Sequence, residues 1–192
     1  MKLHEAYPNS IEADGRVYRL NTGFKRVLRS TELLGDARLH PDVRRWAALR
    51  EIIRGKLPKD PEKQARLLEV AQRLFFPPGK SGKRTISLEQ DADLIRAAFL
   101  QVYRIDLAQK DISWFFFCEL LSNIPAGTRL ADVIDIRTRP MPKPTKHNAE
   151  ERQRLLAAKA AVAIRLSPEE ETASRKKSAA AFARALMSMA RK

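Results

Sequence analysis

The residues best suited to chemistry in this 192-residue chain are a Gly-Lys-rich stretch, three histidines, a pair of aspartates and one cysteine. The stretch PPGKSGKRT, residues 77 to 85, has the look of a phosphate cradle. Such a loop needs a glycine five positions before its Gly-Lys-Ser/Thr, because the backbone must wrap the phosphates. Leu74 stands there for Gly79-Lys80-Ser81, and Pro77 for Gly82-Lys83, where Arg84 also replaces the magnesium-binding hydroxyl. The stretch is therefore expected to be a basic surface turn. His4, His40 and His147 fall in terminal, loop and linker contexts, and none has a second ligand at helical spacing, so no metal site is expected. Asp91 and Asp93 precede an apolar run, fit the positive end of a helix dipole, and point apart on a helix. Cys118 lies in an apolar run, where a thiol packs as a small hydrophobe, and nothing nearby would make it a thiolate. Neither an enzyme nor a cofactor is expected.

The elements that would position side chains centre on DISWFFFCELLSN, residues 111 to 123. Strand alternation fails here, and no apolar run approaches the ~20 residues that cross a bilayer. As a helix, at about 100° per residue, the stretch places Trp114, Phe116, Phe117, Cys118, Leu120 and Leu121 on one broad arc. Phe115 falls between Ser122 and Glu119. The expected core is Phe99, Tyr103, Trp114, Phe116, Phe117, Cys118 and Leu121, whereas Phe115 and Glu119 are candidates for a partner-facing surface.

The composition is that of a water-compatible globular protein, 44% hydrophobic and 31% charged, and the net charge of +14 favours an anionic partner. Residues 1 to 84 hold 19 basic and 10 acidic side chains, residues 85 to 140 hold 6 and 8, and residues 141 to 192 hold 12 and 5. Base-stacking sites combine aromatics with cations. Here the aromatic middle is the least basic part, which leaves at most non-specific nucleic-acid binding. The N-terminus MKLHEAYPNS has no apolar stretch of the secretory kind, so a cytoplasmic site is expected.

Along the chain, Asp14-Gly15 between two short runs predicts a β-hairpin. Thr22 is placed to cap a helix carrying Phe24, Val27, Leu28 and Leu34 and ending near Gly35. A second helix from Pro41 presents Val43, Trp46, Leu49 and Ile53 as its inward stripe before Gly55. A third starts at Asp60-Pro61-Glu62, carries Leu67, Leu68, Ala71, Leu74 and Phe75, and stops at Pro77-Pro78. Ser87 and Gln90 suggest a capping box before a helix with Ile95, Phe99 and Tyr103. LADVIDIRTRP predicts a short amphipathic turn or helix. The expected architecture is all-α: one helical domain, residues 1 to 140, of about five to seven helices with a small N-terminal hairpin. A basic, proline-punctuated linker (141 to 148) and a projecting Ala/Lys/Arg-rich arm (149 to 192) follow, the arm's apolar stripe of Phe182, Leu186 and Met189 adding a second candidate contact.

RLNTGFKRVL, then DADLIRAAFLQVYRIDLAQKDISWFFFCELLSNIPAGTRLADVIDIRTRPM, then NAEERQRL together resemble the bacteriophage gene-product-fifteen family. The shared features are Asp91 and Asp93, Tyr103, Ile105-Asp106-Leu107, Trp114 with Phe115 to Phe117, and Arg137-Thr138. The basic extension beyond about residue 167 and the triple phenylalanine depart from the pattern. Genes of this family sit between those for the tail-tube and tape-measure proteins. The resemblance thus implies a tail-assembly chaperone in the host bacterial cytoplasm, with the tape-measure and tail-tube proteins as partners and self-association compatible. A non-specific nucleic-acid-binding protein and a minor structural tail component are the alternatives.

Overall fold

The computed structural model describes residues 5–77 and 84–165, and the chain is predominantly helical with a small N-terminal sheet. Phe182, Leu186 and Met189 lie outside the described residues. Contacts group the described residues of 1–84 and 91–132 into one unit, and those of 85–90 and 133–165 into another.

In the first unit, β1 (Ser10–Ala13) and β2 (Arg16–Leu20) form an antiparallel hairpin in which Ile11 faces Tyr18. Asp14 and Gly15 both take positive φ, 51° and 70°, as a two-residue hairpin turn demands. Burial alternates, so Ile11, Ala13, Tyr18 and Leu20 point inward. A third strand that sequence periodicity missed, β3 (Ile53–Arg54), pairs antiparallel with the end of β2. Ile53, expected on a helical stripe, is a buried strand residue, and Gly55 turns the chain at φ 96°.

Helix α1 (Phe24–Gly35) and α2 (Pro41–Ile52) pack as a hairpin. Ser30 Oγ donates to the carbonyl of Ala48 at 3.0 Å, a close approach that the small Ala48 permits. Glu51 faces α1 and takes Arg26 at 3.0 Å and Arg29 at 3.3 Å. These contacts fix the rotation of α2: Ala48, Leu49 and Ile52 turn inward, while Val43 and Trp46, expected to face the core with Leu49, point outward and are 49% and 51% exposed. Helix α3 (Pro61–Phe75), capped by the Asp60 carboxylate accepting from the Glu62 N–H at 2.9 Å, buries Leu67, Ala71 and Phe75.

Helix α4 (Ala92–Tyr103) starts one turn after Ser87, whose hydroxyl accepts from the Gln90 N–H at 3.2 Å. It ends where Arg104 adopts φ 56° and the Ile105 N–H reaches back to the Phe99 carbonyl, closing off the helix and turning the chain. Helix α5 (Trp114–Ser122) begins at Ser113, whose hydroxyl accepts from the Phe116 N–H at 3.2 Å.

Helix α6 (Arg129–Thr138) has its first residues in the first unit and the rest, from Val133, in the second. In the second unit, α7 (Ala149–Ala161) is held by side chain to backbone bonds. Lys159 Nζ donates to the carbonyls of Ile136 and Arg137 at 2.8 and 3.0 Å, Arg137 Nε donates to the Val162 carbonyl at 2.6 Å, and Asn148 Nδ2 closes on the Lys143 carbonyl at 2.8 Å. The described part of the expected arm is therefore docked at the end of α6.

Candidate partner-binding site

The N-termini of α1 and α5 meet. Gly23 bridges Ser113, the Phe24 N–H donates to the Ile112 carbonyl at 2.9 Å, and the Trp114 N–H donates to the Thr22 carbonyl at 2.6 Å. Thr22, expected to cap α1, contributes its backbone instead. Gly23 is the N-cap and carries no side-chain bond; the cap comes from Asp111, whose Oδ1 accepts from the Lys25 N–H at 3.3 Å. A Cβ on Gly23 would lie 2.3 Å from Asp111 Oδ2, so glycine is what lets the carboxylate reach the helix end.

This junction holds the aromatic core. Phe117 stacks on Phe24, Phe99 and Trp114 with ring centroids 5.0, 5.2 and 5.6 Å apart, and Phe99 meets Tyr103 edge-on at 5.5 Å. Phe99, Trp114 and Phe117 are buried. Tyr103 is half-buried with its hydroxyl donating to the Leu120 carbonyl at 2.8 Å, and Cys118 and Leu121 are also half-buried. Burial and the neighbouring Glu119 push the Cys118 thiol up to about 11.

The two remaining phenylalanines exchange their expected places. Phe116, assigned to the core from the sequence, is 38% exposed. Phe115, expected on the open side, is half-buried between the rings of Tyr7 and Phe75, at 5.7 and 5.8 Å. Tyr7 is held there by its hydroxyl, which donates to Glu119 Oε2 at 2.5 Å and raises the tyrosine pKa. Glu119 is thus engaged by the chain's own N-terminal segment.

Beside this core, α1, α3 and the end of α2 enclose an apolar recess of about 110 Å³, lined by Val27, Leu34, Ile52, Leu68, Phe75 and Phe76 among others. Phe76 is exposed at its edge, with its ring tilted against Trp114 at 5.1 Å. Among the described residues no three His, Cys, Asp or Glu side chains gather as a metal site would require, and no helix is long and apolar enough to cross a membrane. The large apolar side chains that the unit exposes are Val17 on β2, Val43 and Trp46 on α2, Phe76 after α3, Leu100 on α4 and Phe116 on α5, among the described residues.

The model of the family described as Bacteriophage Gp15 protein matches residues 3–164. The chain belongs to that family. The match spans both units as described and stops close to the last described residue, so the basic extension lies outside the family's common part. Membership in this phage family supports a role in tail assembly. No curated protein and no solved structure matches the chain.

Of the outward residues, sequence periodicity missed Trp46, Val43 and Phe76 as exposed groups. A signal existed for the first two. Val43 and Trp46 lie away from Ala48 and Ile52 on α2, with Leu49 between the two groups, so the helix has apolar residues on both sides and only one side can face the hairpin partner.

Proposed function

We propose that this Gp15-family chain is a non-enzymatic tail-assembly chaperone that binds the tape-measure protein, the tail-tube protein or both in the host bacterial cytoplasm. The observation that carries the reading is the set of exposed large apolar side chains on and beside the helices, Val43, Trp46, Phe76 and Phe116. Such side chains on a rigid helical scaffold suit a groove-and-helix contact with a partner whose own apolar stripe needs cover until it assembles. Family membership supplies the phage context.

Co-expression with the tape-measure and tail-tube proteins of the same genome tests this. The chaperone reading expects a larger soluble fraction of at least one of them and its co-purification with this chain. If neither partner gains solubility or co-purifies, while the chain forms a tight complex with DNA at physiological salt, the reading fails in favour of nucleic-acid binding.

A further inference from the structure

We infer that the outward face of α2, centred on Val43, Trp46 and Arg50, is a docking surface for an acidic helical segment with one apolar stripe. The inference rests on the tail-assembly reading only for the partner's origin; its chemistry comes from this face alone. Val43, Trp46 and Arg50 lie three and four residues apart, on the side of α2 away from the buried Ala48 and Ile52, and are exposed. That spacing makes a continuous ridge along the helix, the shape that packs against a second helix.

Charge selects the occupant. Both acids of α2 are already taken, Glu51 by Arg26 and Arg29, Asp42 by Arg45. Among the described residues, the cations that follow meet neutral groups: the Arg50 guanidinium lies 5.8 Å from the Trp46 ring centroid and donates to the Gly55 carbonyl at 3.4 Å, and Arg54 Nε donates to Asn21 Oδ1 at 2.6 Å. Lys56 is exposed beside them. The ridge is therefore apolar with uncompensated positive charge at one end, which a helix bearing carboxylates complements. A second copy of this chain fits less well, because both carboxylates of its own α2 are already held by arginines and bring no free acid to Arg50. A single nucleic-acid strand would find Arg50 over one face of the indole and no polar contact at Val43, and the oligo-dT comparison separates it from the helix.

The test uses the full-length chain and fluorescence anisotropy with a labelled designed helical peptide, leucine on one stripe and glutamate elsewhere. A counterpart carrying lysine for glutamate and an oligo-dT strand serve as comparators. The glutamate peptide should bind, about tenfold or more tightly than the lysine peptide, and should shift tryptophan emission to the blue, because of the two tryptophans only Trp46 is exposed. Trp46→Ser and Val43→Ser should each weaken binding about tenfold with the melting temperature kept within a few degrees. Arg50→Glu should reverse the preference between the two peptides, and this variant decides the matter should Trp46→Ser fail to fold. Wild-type binding by all three variants, no binding of the glutamate peptide, or an equal affinity for the lysine peptide overturns the inference. So does oligo-dT binding that Trp46→Ser abolishes. Co-purification of the tail proteins undiminished by the α2 variants would overturn this surface while leaving the chaperone reading intact. Loss of the chaperone reading with peptide binding retained would leave the surface standing.

Discussion

The indole N–H of Trp114 donates to the backbone carbonyl of Phe75 at 2.8 Å, so the first residue of α5 satisfies one of the orphan acceptors at the end of α3. The bond is buried and joins residues 39 positions apart. It ties the expected central helix to the third helix more specifically than apolar packing could.

Trp114→Phe should leave that carbonyl unpaired in a dry environment. The expected cost is about 1–3 kcal/mol for the stranded acceptor, added to the packing lost with the smaller ring. Denaturant titration should show a lower midpoint with an unchanged slope. Emission from the remaining Trp46 should be red-shifted relative to wild type. A midpoint equal to wild type would mean the carbonyl finds another donor.

Gly23 and Asp111 should behave as one unit. Asp111→Ala removes the cap on Lys25 N–H and should cost roughly 0.5–2 kcal/mol. Gly23→Ala keeps an allowed backbone, at φ −58° and ψ 130°, yet its methyl group would displace the same carboxylate. The double variant should then be no less stable than the worse single one. Full additivity of the two losses would show that they act separately.

Phe115 and Phe116 should rank in the order of their covers. Phe115→Ser removes a ring stacked between Tyr7 and Phe75 and should cost about 2 kcal/mol, less than the ~3–5 kcal/mol of a fully buried phenylalanine. Phe116→Ser should stay within about 0.5 kcal/mol, as surface changes do. Thermal melts of the two variants decide it, and the opposite ranking would place Phe116 in the core.

Cys118 should be slow to react while the chain is folded. With its thiol pushed up to about 11, little thiolate exists at pH 8. Unfolding should accelerate alkylation roughly tenfold, after allowing for the greater intrinsic nucleophilicity of a high-pKa thiolate. The linked stability effect has a definite sign. Because the folded thiol holds its proton more tightly than the unfolded one, its contribution is complete below the ordinary thiol range and is lost as pH rises toward about 11. Cys118→Ser should remove that part of the alkaline decline in melting temperature.

Much of this molecule was legible in its residues. Asp14-Gly15 dictates a hairpin because both positions need positive φ, Asp60-Pro61-Glu62 starts α3, and the 3.6-residue period of Leu67, Ala71 and Phe75 sets its inward face. Those signals are local, and local geometry is enough to satisfy them. The two-residue strand β3 has no period of its own and exists only because Leu20 and Arg19 offer it hydrogen bonds. The rotation of α2 was equally hidden. Leu49 belongs to either stripe, and the choice was made by Glu51 reaching Arg26 and Arg29 and by Ala48 lying under Ser30. On α5, with Trp114 and Phe117 inward, Phe115 and Phe116 each stand roughly 130° from the middle of that pair, on opposite sides. The sequence by itself determined that this stretch is a helix with a broad apolar arc, and it set Phe116 in the core and Phe115 outside, although the two are symmetric about the inward pair. Only the tertiary structure could say which margin is covered, because the cover is Tyr7, anchored on Glu119 from 112 residues away, and among the described residues no ring stacks on Phe116 to match it.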